Sequence, residues 1–457
     1  MKRVEKLSIV LSAVGASALL LAGCGTTNGS SSGTGGSGGS GASTSSGKPT
    51  VVTVWTWRSQ DAPLWNEVQT ALNQKGDNIQ IQFRAINGGQ YGSVLQTALD
   101  GGKGPDIFYV GATLRDIQPL AANGLVKPLD GMVDFSQLVN PASLDFAKYN
   151  GKTYGVPYAI QTTQWFYNKS IFAKYGLQPP KTWADFINIC NVLQKHGVAP
   201  ISVMGEGSWG TANLMWDGEN ISASLLPTSY ISQLVNKQAK FTDPAFVSFL
   251  AHYQQLAQYF EPNWQAVGAT GTELAQTFAS GKTAMAGDGI WDVGSEILKD
   301  NPSIQLGTFL TPPLDSSQSP HMTWYVDGFI SMNNKITDPA VEKASTEIEK
   351  YTTTQAFAQN FTNIAGEIST IKGTTIPAND VLQQQSSQWL KEYGIPVLWG
   401  EKSAMDFPPL KSGNQVSTDT SIQIAERTIY PLLMTNKLTP EQAASEFQKD
   451  MAWYFAN

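Results

Sequence analysis

Carboxylates and tryptophans are the side chains in this sequence best suited to chemistry. Asp61, Asp288, Asp292, Asp327 and Glu367 fall at or near the ends of segments that read as strands. Two carboxyl groups about 5–10 Å apart can hydrolyse a glycosidic bond, so these are the candidate acids of a glycoside hydrolase. The 13 tryptophans carry a different chemistry. An indole offers a large flat apolar face at low rotamer cost, which suits the C–H face of a sugar ring. Asp, Asn, Gln and Arg supply planar donors and acceptors for its hydroxyls. Other chemistries find no residues. His196, His252 and His321 are scattered, and there are two cysteines, so neither a histidine-built nor a cysteine-rich metal site is expected, nor a disulfide framework. No Gly-x-x-x-x-Gly-Lys-Ser/Thr loop is present, so ATP hydrolysis is not expected of this chain. No cofactor is expected. A formal charge of −7 without any Lys/Arg run argues against nucleic acid as a partner.

Such side chains need a rigid frame. The length of 457 residues allows two or three domains, and 41% hydrophobic residues suffice for sizeable cores. Charged residues make up only 15%, against about 25% in typical soluble domains. Residues 51–57 are β-branched and aromatic and read as a strand; 79–83 alternate and read as a second; 106–110 read as a short buried third. Helical spacing covers 63–72 and 91–99 between them. This order predicts an α/β layer with a largely parallel sheet, whose ligands sit at the carboxyl ends of strands. That points to the loops beginning at Trp57 and Gly111. Further on, helices are predicted over 183–196, capped by Thr182, and over 246–259. Strands are predicted at 283–287, 304–310 and 323–332. Helices follow at 339–351, 381–392, 420–434 and 440–454. Cys190, among Phe186, Ile189, Val192 and Leu193, reads as buried and inert. Asp106 reads as a structural cap.

The amino terminus reads as an address. Lys2, Arg3 and Lys6 precede an apolar stretch from Leu7 to Ala22, shorter than the ~20 residues of a spanning helix. The sequence Leu21-Ala22-Gly23-Cys24 resembles the bacterial lipobox, in which the chain is cut before a cysteine whose thiol receives a diacylglycerol. Residues 1–23 are thus an expected signal peptide. Removing them removes three basic residues and one acidic, a net +2, and takes the charge from −7 to −9. Residues 25–47 are Gly, Ser, Thr, Asn28 and Ala42. With no apolar side chain to bury, they form an expected flexible tether spanning roughly 25–30 Å. The expected product is extracytoplasmic, anchored to the outer face of the cell membrane through Cys24.

Four stretches, in order, carry a family resemblance. Gly104-Pro105-Asp106-Ile107 is continued by residues 120–130, LAANGLVKPLD. Gly151-Lys152-Thr153-Tyr154-Gly155-Val156-Pro157 is followed by Phe166-Tyr167-Asn168-Lys169 and Pro180-Lys181-Thr182-Trp183. Residues 278–285, FASGKTAM, precede Gly289-Ile290-Trp291. Leu438-Thr439-Pro440-Glu441-Gln442-Ala443 closes the series. Over nearly the whole mature chain this resembles the extracellular solute-binding proteins of bacterial ABC transporters, in the carbohydrate-binding group that includes maltose-binding protein. The resemblance implies an α/β fold of two lobes, periplasmic-binding-protein-like, with a ligand cleft between lobes and three hinge crossings. It places the crossings near 159–162, 323–326 and 365–368. Lobe 1 is then 48–160 plus 326–366, and lobe 2 is 161–325 plus 367–457. It further implies a monomer that performs no catalysis, takes a carbohydrate ligand and hands it to the transmembrane subunits of an ABC permease.

The resemblance also nominates site residues. Trp291 matches the tryptophan that stacks on sugars in this family. Gln161 matches a polar contact past the first crossing, where maltose-binding protein has a carboxylate. The loop after the first strand supplies Trp57, Arg58, Gln60 and Asp61; the loop after the third supplies Gly111 and Thr113. Trp324 and Asp327 lie at the second crossing, with at most one of Trp324 and Tyr325 facing the cleft because adjacent strand residues point oppositely. Glu367 lies at the third crossing. Trp209 and Trp216 are candidates for an aromatic wall; Trp399 and Asp406 are open ones. The alternatives are a non-sugar solute (polyol, polyamine, peptide), the exported hydrolase, and a sensor subunit.

Overall fold

The computed structural model describes residues 47–111, 114–139, 141–396 and 420–456. Cys24, residues 25–46 of the tether, Thr113, Trp399 and Asp406 lie outside them.

Alternation comes first: β1 (Thr50–Thr56), α1 (Ala62–Gln74), β2 (Ile79–Ala85), α2 (Gly88–Asp100), β3 (Ile107–Gly111) and α3 (Leu114–Ala122). A hairpin, β4 (Lys148–Tyr149) and β5 (Lys152–Thr153), and the short β6 (Val156–Pro157) lead into the ten-residue β7 (Ala159–Asn168). Then follow α4 (Lys169–Lys174), α5 (Trp183–Lys195), β8 (Ala199–Ser202), α6 (Gly207–Leu225), α7 (Tyr230–Val235), α8 (Pro244–Gln255), α9 (Glu273–Ala279) and β9 (Thr283–Gly289). A turn of π-helix at Val293–Ile297 runs into α10 (Leu298–Asp300), followed by β10 (Leu306–Phe309), β11 (Met322–Val326), β12 (Gly328–Met332), α11 (Pro339–Thr352) and α12 (Gln355–Ala365). The last elements are β13 (Ile368–Ser369), α13 (Val381–Tyr393), β14 (Gly394–Pro396), α14 (Ile422–Met434), α15 (Pro440–Asp450) and α16 (Ala452–Phe455). No helix among the described residues is long and apolar enough to cross a membrane.

Two sheets organise these elements. The first runs β2-β1-β3-β12-β6, with β1 parallel to both β2 and β3 and β12 antiparallel to β3. The second runs β14-β11-β7-β9-β8, and β10 and β13 also pair with β7. Each sheet has its own core. Val52, Val54, Phe108 and Tyr109 pack with Trp65 and Leu72 of α1 and Phe357 and Phe361 of α12. Trp165 of β7 and Met285 of β9 pack with Phe186 and Cys190 of α5, Phe249 of α8 and Tyr430 of α14. Cys190 is fully buried, which pushes its thiol pKa up. Local chemistry fixes the helix ends. Thr182 Oγ1 accepts from the Asp185 N–H at 3.2 Å, and Asp185 Oδ2 accepts from the Thr182 N–H at 2.9 Å, a reciprocal cap for α5. Thr439 and Gln442 cap α15 in the same way.

The sheets are joined by very short passages. Only Tyr158 separates β6 of the first sheet from β7 of the second. Only Asp327 separates β11 from β12 on the way back. The third passage is Gly366-Glu367, between α12 and β13. The sequence reads as strand across 323–332; the structure divides that stretch at Asp327 between the two sheets. Asp106 takes its structural part: its Oδ2 accepts from the Thr53 N–H and Oγ1 at 2.8 and 2.7 Å and ties β1 to the turn before β3.

Candidate functional site

A cavity of about 430 Å³ lies between the strand ends of the two sheets. The first sheet contributes the loop after β1, with Trp57, Arg58, Ser59 and Gln60, and the end of β2 with the loop after it, Ala85 to Asn87. The second contributes Gln161 of β7, Asp288 of β9 with the following Trp291 and Asp292, and Tyr325 of β11. Helix α6 adds Trp209 and Trp216, whose spacing of seven puts both on one helix face. Met204, the Thr270–Thr272 turn and Glu296 complete that side, and Asp327 reaches in from between β11 and β12.

The aromatic side chains form two walls. Trp216 and Trp291 meet edge to face with ring centroids 5.2 Å apart, and Trp291 stands 6.4 Å from Tyr325. Trp291 lies back over Gly289, where a Cβ would come 1.9 Å from the ring. Glycine is therefore required for the indole to hold this pose. Across the cavity Trp57 is braced edge-on by Tyr91 at 5.3 Å and Tyr109 at 5.9 Å. Braced rings present fixed apolar faces at little further entropic cost on binding.

Behind Trp57 stands an ionic network. Arg58 is 3% exposed. Its Nε and Nη2 donate to Asp61 at 2.8 and 3.2 Å, its Nη1 to Asp327 Oδ2 at 3.0 Å, and its Nη2 also to Glu367 Oε1 at 2.6 Å. Tyr158 O–H donates to Asp327 Oδ2 at 2.7 Å, Tyr109 O–H to Asp61 Oδ2 at 2.9 Å, and Gln161 Nε2 to Glu367 Oε2 at 2.7 Å. Burial alone would lower the guanidinium pKa; Asp61, Glu367, Tyr158 and Asp327 hold it above its ordinary value. Burial pushes the Glu367 carboxyl up to about 7 against the pull of Arg58. Tyr158, Asp327 and Glu367 occupy the three inter-sheet passages, so one guanidinium joins all three, two directly and Tyr158 through Asp327.

Asp288 and Asp292 form a second polar group, on the β9 side. Burial pushes Asp288 up to about 7. Burial and then the nearby Asp288 raise Asp292 well above the ordinary carboxyl range.

Residues 55–343 match the sequence profile of the bacterial extracellular solute-binding proteins. The chain belongs to that family. Among curated relatives of this solute-binding protein is the multiple sugar-binding protein of Streptococcus mutans, 23% identical over 393 residues, covering 84% of this chain and 86% of the relative. The melibiose/raffinose/stachyose-binding protein of Bacillus subtilis is 23% identical over 175 residues, covering 37% of this chain and 40% of the relative. Two solved structures share the fold. A chitin oligosaccharide binding protein superposes with TM-score 0.71 at 20% identity, over 90% of this chain and all of that one. A solute-binding protein in complex with raffinose superposes with TM-score 0.66 at 18% identity, over 88% and 98%. The architecture is the two-lobe α/β fold of that family, with the cavity between the lobes.

The solute-binding protein's cavity gathers Trp57, Arg58, Gln60, Gln161, Trp209, Trp216, Trp291 and Asp327 from the sequence expectations. Four expected residues do not line it. Asp61 and Glu367 are fully buried behind Arg58 and hold its guanidinium. Gly111 is engaged in the sheet opposite Gly328. Trp324 points to the other face of β11, into a separate cavity with Ile160, Ile368 and Leu390. Tyr325 takes the cleft position, because adjacent strand residues face opposite ways. Sequence reasoning missed Tyr325, the loop after β2, Met204, the Thr270–Thr272 turn and Glu296 as cavity residues, and named Asp288 and Asp292 only as candidate acids of a hydrolase. A signal for the β2 loop existed: it follows a parallel strand just as the Trp57 loop does.

Proposed function

We propose that this protein captures a saccharide, an oligosaccharide by the number of tryptophans lining the cleft, and delivers it to the membrane subunits of an ABC permease. The observation that supports this most is the pairing of braced indole faces on both lobes with planar polar groups between them. Stacking faces serve sugar C–H surfaces; Gln161, Gln60 and the carboxylates serve hydroxyls. The lobes, 48–160 with 326–366 and 161–325 with 367–457, close about the three short passages. The ligand stabilises the closed form by its greater affinity for it. The protein works as a monomer, does no chemistry on its ligand, and is held at the outer face of the cell membrane by lipid on Cys24. A polyamine ligand is the second reading, and the surplus of carboxylates in the cleft is what favours it.

Thermal unfolding of residues 48–457 against sugars, polyols, polyamines and peptides tests the reading. A ligand of the folded state raises stability by RT ln(1 + [L]/Kd). Shifts confined to saccharides, with tryptophan fluorescence changing at the same concentration, are expected. A shift with polyamines or peptides alone would overturn the ligand class. Release of product from chromogenic oligosaccharides would overturn the non-catalytic role.

A further inference from the structure

Carboxyls outnumber cations in the cleft. Asp288, Asp292 and Glu296 line one side and Asp327 the other. Among the described lining residues Arg58 is the only cation, and its guanidinium is engaged by Asp61, Asp327 and Glu367. Lys299, itself 69% exposed, stands 3.9 Å from Glu296 and outside the cavity lining. No cation among the described residues forms an ion pair with Asp288 or Asp292.

The unused hydrogen-bonding atoms lean the same way. Asp288 is 5% exposed. Its Oδ1 accepts from the Gly289 N–H at 2.7 Å, while its Oδ2 is buried with no N–H or hydroxyl donor among the described residues, the Asp292 carboxyl being the one side chain hydrogen-bonded to Asp288. Asp217 lies close enough behind to act on its charge, and Asp217 is itself buried. Gln161, 1% exposed, spends its Nε2 on Glu367, which leaves Oε1 as a second buried acceptor without a partner. With a proton held between two close carboxyls and no cation beside them, ionising the pair further is costly. A hydroxyl brings one donor and no charge; an ammonium brings three donors and the missing positive charge. Among the described residues no His, Cys, Asp and Glu side chains form a group able to hold a metal ion, so an organic cation is the better match. A cation beside Asp288 and Asp292 replaces the proton that two such close carboxyls must otherwise share.

We propose that the saccharide bound here carries a protonated amine, seated against Asp288 and Asp292. This rests on the saccharide reading above and narrows it to amino sugars with a free amine. N-acetylated, phosphorylated or uronic forms lack the positive charge, and the last two add a negative one to an acidic cleft.

Calorimetric titration of the mature protein at pH 6.5 and low salt tests it. The probes are short gluco- and galacto-configured amino-sugar oligomers, each as the free amine and as its N-acetyl counterpart, with raffinose and spermidine as controls. The free amines are expected to bind at least about tenfold tighter than their acetylated forms. Asp288→Asn should bring that ratio close to one, and Asp292→Asn provides the same reading should the first variant fail to fold. Equal or tighter binding of acetylated or neutral sugars would overturn this proposal and leave the saccharide reading standing. A free-amine preference unmoved in the folded variants would overturn the assignment to these carboxyls. Spermidine binding with no saccharide binding would overturn both readings.

Discussion

Trp291 is partly buried, yet it packs against the core of the second sheet as well as lining the cleft. Truncating it removes a stacking face completely and a core contact only in part. Trp291→Ala should weaken ligand binding by about 2 kcal/mol, roughly 30-fold, while lowering stability by about 1 kcal/mol. Titration and urea unfolding on the same preparation give both numbers; equal losses would mark the ring as a core residue. Arg58 behaves in the opposite sense. Replacing it by methionine strands Asp61 and Glu367, both fully buried, with no cation. Breaking a buried pair from one side costs about 3–5 kcal/mol. Arg58→Met should therefore lose about that much stability at pH 7. At pH 5 the loss should be smaller, because the Glu367 carboxyl, raised to about 7, takes up a proton there. A loss independent of pH would mean that packing of the side chain, and not its charge, is what matters.

At the scale of elements, β11 shows what a sequence does and does not disclose. The Met322–Val326 segment reads as a strand, and its alternation requires Trp324 and Tyr325 to face apart. Which of them faces the cleft depends on register with β7, where Tyr325 stands opposite Gln161, and register is a tertiary fact. Tyr325→Ala should lower ligand affinity about tenfold, and Trp324→Ala far less, since Trp324 lines a cavity on the other face. Equal effects would contradict this register. The β1, β2 and β3 segments were legible because their composition and alternation are strong, and the parallel pairing follows the predicted order. Helix α6 was not legible. Its Gly, Asn and Ser content lowers helix propensity, and burial of Asn213, Asp217, Glu219, Asn220 and Ser222 hides any polar face. Tertiary packing sustains it: Asn213 Oδ1 accepts from the Met204 N–H at 2.8 Å, and Asp217 sits against Gly287. The Arg58 network was illegible for a related reason. Its partners Asp327 and Glu367 lie 269 and 309 residues away in sequence.

Across the whole molecule, buried carboxyls set the response to pH. Burial raises Asp217, Asp288, Asp292, Glu349 and Glu367, and to a lesser degree Glu261 and Asp380, above the ordinary carboxyl range near 4. A carboxyl raised in the folded state binds its proton more tightly there than in the unfolded chain. Its stabilising share is complete below the unfolded value near 4 and is lost as pH climbs through the folded value, about 7 for Asp288 and Glu367. The opposing groups, Asp134, Asp185, Glu273, Asp315 and Glu441, are lowered, but they are little buried and exert less leverage. Charged residues make up only 15% of the chain, which leaves fewer paired carboxylates for acid to break. Without ligand, Tm should be highest near pH 5 and lower by on the order of 5 °C at pH 8. Glu349 isolates the effect: it is fully buried, away from the cleft lining, and neither carboxyl oxygen has a hydrogen-bond partner among the described residues. Glu349→Gln should raise Tm at pH 8 and change it little at pH 5, flattening the profile. A Tm that rises from pH 5 to pH 8 in the parent protein would mean that these carboxyls are ionised and compensated in the fold.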